Sequence, residues 1–159
     1  QAETDNSKAQ AKEHEANAAK AYMDMGALDA QEVRNKLDDG DELRWIQRTS
    51  GEHDIIISTS AGQAVRFSEK DARPMGRAAR GVRGVRLRPS DSVVGMDVVT
   101  HDNQVLLVIS EKGFGKRTKV SNFPSHKRGG VGIKAAIVTA KTGPIISVQT
   151  IEPKMNEKK

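Results

Sequence analysis

The chain of 159 residues contains no cysteine. Disulfides, thiolate nucleophiles and cysteine-based zinc sites are therefore excluded, and a reducing compartment fits that absence. Aromatic residues make up only 3 % of the sequence: Tyr22, Trp45, Phe67, Phe114 and Phe123. Base stacking on ring platforms, as single-strand binders use it, has little to work with here. Packing falls instead to aliphatic and β-branched side chains. No apolar run approaches the ~20 residues of a membrane span, and no charged-then-apolar signal peptide opens the sequence. The chain starts at Gln1 rather than Met, as a fragment of a longer chain does. A soluble, cytoplasmic protein without membrane contact is expected.

What is present divides by composition. Residues 1–36 are rich in Ala, Glu, Lys, Gln and Asn, hold no proline, and have Gly26 as their one glycine. These are good helix formers with little to define a buried face, so a polar α-helical arm or linker is expected. Asp29 with Glu32 has the spacing of a capping box for a second helix after Gly26. From Leu37 the pattern changes to short β-rich runs at 42–48, 54–58, 63–67, 82–87, 93–99, 105–110, 116–120, 133–138 and 145–151. Turn signals between them recur every ~8–12 residues, which is the grammar of a barrel, sandwich or propeller.

An internal repeat selects among these. GDELRWIQRTSGEHDIIISTSAGQAVRFSEKDARPMGRAARGVRGVRL is followed by SDSVVGMDVVTHDNQVLLVISEKGFGKRTKVSNFPSHKRGGVGIKAAIV. In each unit an acidic turn leads into an apolar strand, then a polar turn at Asp54 or Asn103. A β-rich strand, a glycine turn at Gly62 or Gly113 and a basic strand with Arg66 or Arg117 follow. Each unit ends in an Arg-Gly cluster, at 80–84 or 128–132. A period near 50 residues with four strands per unit is propeller-blade length. The expected organisation is a helical arm at 1–36, one blade at 37–98, a second at 99–152 and a charged tail at 153–159.

The net charge of +5 hides a segregation. Residues 64–88 carry eight basic side chains against Glu69 and Asp71, net +6, and residues 112–134 carry seven with no acid, net +7. The remainder is net −8. Both basic stretches hold the same phase of the repeat, so in a blade architecture they form one continuous rim. Arginine offers a planar fork that matches phosphate oxygens. Interleaved glycine lets backbone approach a phosphate and donate N–H groups to it. Such a rim suits the backbone of duplex DNA. The plainer alternative is a solvated basic face, with the Arg-Gly turns serving strand pairing alone.

Chemistry beyond binding finds no foothold. His14, His53, His101 and His126 are scattered without metal-ligand spacing. His126 lies in the basic loop, where it has either a phosphate contact or a surface role. Gly113-Phe114-Gly115-Lys116 lacks the spacing and following helix of a phosphate loop. The acid pairs Asp38/Asp39 and Asp41/Glu42 sit at a turn with no cleft partner. The three phenylalanines are expected in the core, with Phe114, between two glycines, the one candidate for exposure. No catalytic residue, metal or cofactor is assigned.

The segments LDDGDEL, TSGEHDIIISTSAGQAVRF, RPMGRAARGVRGVRL with SDSVVGMDVV, and GFGKRTKVSNFPSHKRGGVGIK resemble the C-terminal domain of DNA gyrase A. The resemblance runs over residues ~37–151, and the run from Arg73 to Leu87 is its most specific part. It implies a mainly β, propeller-like β-pinwheel fragment of about two four-stranded blades. It also implies non-sequence-specific wrapping of duplex DNA along the basic edge, in support of negative supercoiling. The implied context is a type II topoisomerase, with the remaining domains of gyrase A and with gyrase B as partners. The family's nucleophilic tyrosine lies in another domain, so this chain is implied to be a non-catalytic part of an ATP-dependent enzyme. Carried over by motif, the implied DNA contacts are Arg66, Arg73, Arg77, Arg80, Arg83, Lys116, Arg117, Lys127 and Arg128. KRGGVG at 127–132 is similar to the family's basic glycine box, with His126 where Gln or Arg is usual and Val131 where Lys is usual. The box's special role in wrapping is therefore not assigned to it.

Residues 1–36 do not share that resemblance. AYMDMGALDAQEVRNKL is, more weakly, similar to the helical C-terminal segment of phage portal proteins. This leaves two alternatives: an assembly protein acting through the N-terminal helices, or a generic binder of RNA or acidic proteins using the same rim.

Overall fold

The computed structural model describes residues 40–73 and 81–153 together with the strand at 22–24. The strands are β1 (Tyr22–Asp24), β2 (Ile46–Arg48), β3 (Asp54–Thr59), β4 (Gln63–Ser68), β5 (Val93–Val99), β6 (Val105–Ser110), β7 (Gly115–Lys119), β8 (Ile133–Lys134) and β9 (Ile145–Ile151). Two 3-10 turns, Glu69–Asp71 and Val120–Asn122, follow β4 and β7. The protein is mainly β, as its patterning predicts. Of the expected helical arm, only β1 lies within the described residues. It is a strand, paired in parallel with β2 through Tyr22↔Ile46, so the helical expectation fails at those three positions.

The repeat is visible in the backbone. β3–β4 and β6–β7 are antiparallel hairpins of matching register: Ser58 faces Ala64 as Ile109 faces Gly115. Gly62 and Gly113, one in each hairpin turn, share a left-handed φ of 79° and 81°. A residue with a Cβ would strain there. Each hairpin then gains a third strand on its first member, β5 on β3 and β9 on β6. Both additions carry a register shift at the end nearest the turn.

The units differ in their fourth strand. The first sheet has the order β5-β3-β4-β8, and β8 comes from the second unit. The second sheet has the order β7-β6-β9, three strands where four were expected. The expected strand at 82–87 is irregular backbone instead. Its contacts go to the following unit's turn: Arg86 N donates to the Gly130 carbonyl at 2.8 Å, and Gly129 N to the Gly84 carbonyl at 2.7 Å.

Packing of one unit against the other explains the core. Along β3, Ile55 and Ile57 pack on one side with Val65, Phe67 and Met96. Ile56 turns to the other side and joins Leu106, Val108, Val120, Phe123 and Ala135 of the second unit. β3 is therefore buried on both faces, which its unbroken Ile-Ile-Ile run requires. Full burial of each such side chain contributes roughly 1.5–3 kcal/mol. Asp91, 2 % exposed, braces the corner between β3 and β4. Its Oδ1 accepts from Ser60 Oγ, Ala61 N and Ser92 N, each at 2.9 Å. Asp97 on β5 accepts from Thr150 N and Oγ1 on β9 at 2.8 and 2.7 Å, which pins the two sheets together.

β8 is held by close approach. The N–H groups of Ala135 and Ala136 both donate to the Gly62 carbonyl. A Cβ on Gly132 would lie 2.4 Å from the Ala64 carbonyl oxygen and 2.8 Å from Val65 Cγ2, at a φ of +84°. Gly132→Ala is therefore expected to lower stability by more than about 3 kcal/mol, from backbone strain and a clash together. Gly113→Ala has the same φ penalty but open space around it, and should cost about 1 kcal/mol. Urea denaturation of the two variants checks the difference.

Candidate nucleic-acid interface

The two basic stretches are joined by the loops that follow β4 and β7. The 127–132 segment lies against the 81–88 segment through the two backbone bonds described above. Arg128 adds a third tie. Half-buried, it donates from Nε to the Asp71 carbonyl at 3.0 Å and from Nη1 to the Arg83 carbonyl at 3.2 Å. The Arg-Gly clusters, far apart in sequence, thus form one surface. Around this seam Arg73, Arg83, Arg86, Arg88 and Lys127 are exposed.

Of the two acids within the first stretch, Glu69 is withdrawn from this surface and Asp71 is exposed on it. Glu69 is only 4 % exposed, and its Oε1 accepts from the backbone N–H of His53. Asp71 lends Arg128 its carbonyl. Lys70 pairs with Glu52 at 2.7 Å where both side chains are well exposed, an arrangement that contributes little.

The implied contact residues fall into distinct groups. Arg73, Arg83, Lys116, Arg117 and Lys127 present exposed side chains. Lys116 also reaches the Ala135 carbonyl at 3.2 Å. Arg77 and Arg80 lie outside the described residues. Arg128 is partly spent on carbonyls. Arg66 does not belong to the exposed rim. Its side chain is 12 % exposed, and its guanidinium pairs with Asp54 Oδ2 and Asp102 Oδ1, each at 2.7 Å. Nη1 also donates to the carbonyls of Val120 and Phe123 at 3.4 and 3.3 Å. A guanidinium so engaged has no fork left for a phosphate.

Arg66 and Arg117 hold the same place in the repeat, yet only Arg117 is free to face solvent. Asp54, diagonal to Arg66 on the neighbouring strand at the start of β3, is replaced by Val105 in the second unit. Two signals missed in the sequence follow from this. An arginine near an acid on the neighbouring strand is a strut before it is a ligand for DNA. Conversely, Lys119 on β7, Lys134 on β8 and Lys112 in the hairpin turn are exposed basic residues that motif transfer passed over.

Phe67 and Phe123 are core residues at 3 % and 2 % exposure. Phe114 is 45 % exposed, with Lys141 Nζ 5.6 Å from its ring centroid. His53 and His101 do occupy loops before β3 and β6, and His101 Nε2 lies 3.1 Å from Glu152. His126 is exposed, and its backbone N–H donates to the Arg66 carbonyl at 2.8 Å.

Removing Arg66 strands Asp54, a carboxylate whose side chain is 19 % exposed. Arg66→Ala is expected to cost about 3 kcal/mol of stability, the scale for breaking a largely buried pair. Arg117→Ala should cost under about 0.5 kcal/mol, as surface changes do. Matched chemical denaturation curves test the split within one repeat position.

Comparison with known proteins agrees with this geometry. The family described as the DNA gyrase C-terminal domain, a beta-propeller, matches residues 53–100 and 104–152. The DNA gyrase A protein of Aminobacterium colombiense is 48 % identical over 115 residues, covering 72 % of this chain and 14 % of that protein. The DNA gyrase A protein of Staphylococcus aureus is 46 % identical over 113 residues, covering 70 % of this chain and 13 % of that protein. The chain thus spans about one seventh of the length of these curated relatives. A solved DNA gyrase A C-terminal domain superposes with a TM-score of 0.58 at 28 % identity, over 65 % of this chain and 36 % of the other. The C-terminal domain of a DNA topoisomerase IV gives 0.61 at 24 % identity, over 65 % and 32 %, a likeness of fold.

Proposed function

The chain belongs to the DNA gyrase C-terminal domain family of beta-propellers, and from that premise we propose that it is a duplex-DNA-wrapping module of a type II topoisomerase. It would work in the cytoplasm, beside the remaining domains of a gyrase A protein and with gyrase B. In this reading the chain makes no bond and breaks none. It binds phosphates along the basic seam, bends the duplex over two successive units and so biases the sign of the crossing that the rest of the enzyme resolves.

The observation that carries the proposal is the seam itself. Arg128 and Gly129 of the second basic stretch are bonded to Arg83 and Gly84 of the first. Exposed Arg73, Arg83 and Lys127 stand around that junction, and Lys116 and Arg117 on β7 are further exposed basic groups of the second unit. Charge at separate sites binds DNA, but a continuous track is needed to hold a curved path. Arg77 and Arg80 join the proposed contacts by motif. Arg66 is withdrawn from them because its guanidinium is engaged elsewhere.

Counterion release sets the expected signature. Affinity for duplex should fall with salt, with a log–log slope of about −0.9 per phosphate neutralised. The pair Arg83→Ala and Lys127→Ala should weaken binding evenly across sequences and reduce the slope by about 2. Fluorescence anisotropy across a salt series measures both. Sequence-dependent loss would replace backbone contact by base readout. Loss of binding on deleting residues 1–36, with the rim intact, would shift the function to the arm.

A further inference from the structure

We infer that Arg66 is the positioning residue that fixes the angle between the two units, and thereby the curvature imposed on bound duplex; this rests on the wrapping function proposed above. Four bonds leave its guanidinium for three parts of the fold. Nε holds Asp54 at the start of β3 in the first sheet. Nη2 holds Asp102, in the loop by which the chain passes from β5 to β6. Nη1 reaches the carbonyls of Val120, in the 3-10 turn that follows β7, and of Phe123 just beyond it. The Arg66 carbonyl accepts the N–H of His126, at the head of the basic loop that carries Lys127 and Arg128. One residue of the first sheet thus grips the passage loop, the end of β7 and the root of the second basic cluster.

This grip adds to the exchange of β8, which anchors the opposite end of β4. β8 pairs with Gln63 and Ala64 at the hairpin end, while Arg66 lies further along the strand towards the Glu69–Asp71 turn. Two separated attachments along one strand resist rotation of the units about either. With the Arg66 side-chain bonds lost, the passage loop and the end of β7 lose their hold on β4, while β8 and the Asp97–Thr150 bonds still join the units at points away from that corner. The geometry is planar and multidentate, which guanidinium satisfies and ammonium does not. The second unit lacks the strut's anchor, since Val105 stands where Asp54 would be.

Asp102→Asn tests the idea without stranding a buried charge, because Asp102 is 67 % exposed. Arg66→Lys is the conservative companion. The absence of cysteine permits paired spin labels on the full chain at Glu52→Cys and Glu111→Cys, both exposed and one in each hairpin unit. Pulsed dipolar spectroscopy without DNA should give a narrow distance distribution for the parent and a distribution at least twofold broader for both variants. End-to-end energy transfer on a duplex of about 40 base pairs should show the bend reduced by half or more. Affinity for a duplex of about 10 base pairs, one helical turn, should stay within twofold of the parent. Unchanged distance widths in variants shown to be folded by circular dichroism overturn the strut. Loss of short-duplex affinity in Arg66→Lys but not in Asp102→Asn also overturns it, because Arg66 would then be a phosphate contact. A parent that binds neither duplex overturns the wrapping function instead, while the distance measurement still reads the strut.

Discussion

The pairing of β8 with β4 is the contact on which the remaining structure depends. It carries a strand of the second unit into the sheet of the first and leads directly into Ala135 and Ala136, which join the cluster on the face of β3 that Ile56 presents. The turn that leads into β8 lies against the 81–88 segment, so the strand crossing and the basic seam are contiguous. The cost is steric. Two backbones must approach where Gly132 meets the Ala64 carbonyl and where Gly62 meets Ala136. Glycine in these Arg-Gly clusters is therefore at least partly architectural. The expectation that it clears a path for phosphate is one use of such a cluster. At Gly132 the space is already taken by protein.

Much of this was legible before any coordinate. The two-unit repeat, the hairpins at 54–59 and 63–68 and at 105–110 and 115–119, and the burial of Phe67 and Phe123 follow from patterning and spacing. The segment at 82–87 misled because alternating Val and Arg reads as a strand. Gly81, with a left-handed φ, and Gly84, where a Cβ would lie 2.5 Å from Ile57 Cδ1, shape it instead as a close-fitting irregular segment. Arg66 misled for a different reason. Repeat alignment makes it the twin of Arg117, and only the cross-strand exchange of Asp54 for Val105 separates a strut from an open side chain. Motif transfer compares positions one at a time, whereas the fate of an arginine is decided by what stands across the sheet.

The units also differ in how they meet solvent. β3 reads Asp-Ile-Ile-Ile-Ser-Thr and is buried at every position after the first, while the more apolar β6, Val-Leu-Leu-Val-Ile-Ser, alternates between buried and half-buried. Phe114 and Ile146 are 45 % and 53 % exposed. Their counterparts Gln63 and Val94 are buried and half-buried beneath the second unit. Composition cannot distinguish a face that has a neighbour from one that has none among the described residues. The exposed edge of β7 carries Lys116, Arg117 and Lys119, charges of the kind that discourage one strand edge from templating another. The solvated-face reading and the DNA-facing reading of these residues are therefore compatible. The same repulsion that keeps β7 from self-pairing leaves its cations available to an anion.

Stiffness connects the fold to wrapping. Bending a duplex of 20–30 base pairs through 40–90° costs on the order of 1–6 kcal/mol, and only the further phosphate interactions that the bent form permits can offset it. A basic surface that hinges freely would follow a straight duplex and surrender curvature to the stiffer partner. The exchanged β8, the Asp97–Thr150 bonds between β5 and β9, and the Arg66 cluster join the two sheets at three separate places. The first is a backbone ladder and the other two involve partly buried groups, so none rests on a lone pair of exposed charges. Salt screens the contacts with DNA far more strongly than it screens such interior joints. Ionic strength should therefore govern whether duplex is held, while the joints govern the shape it takes once held.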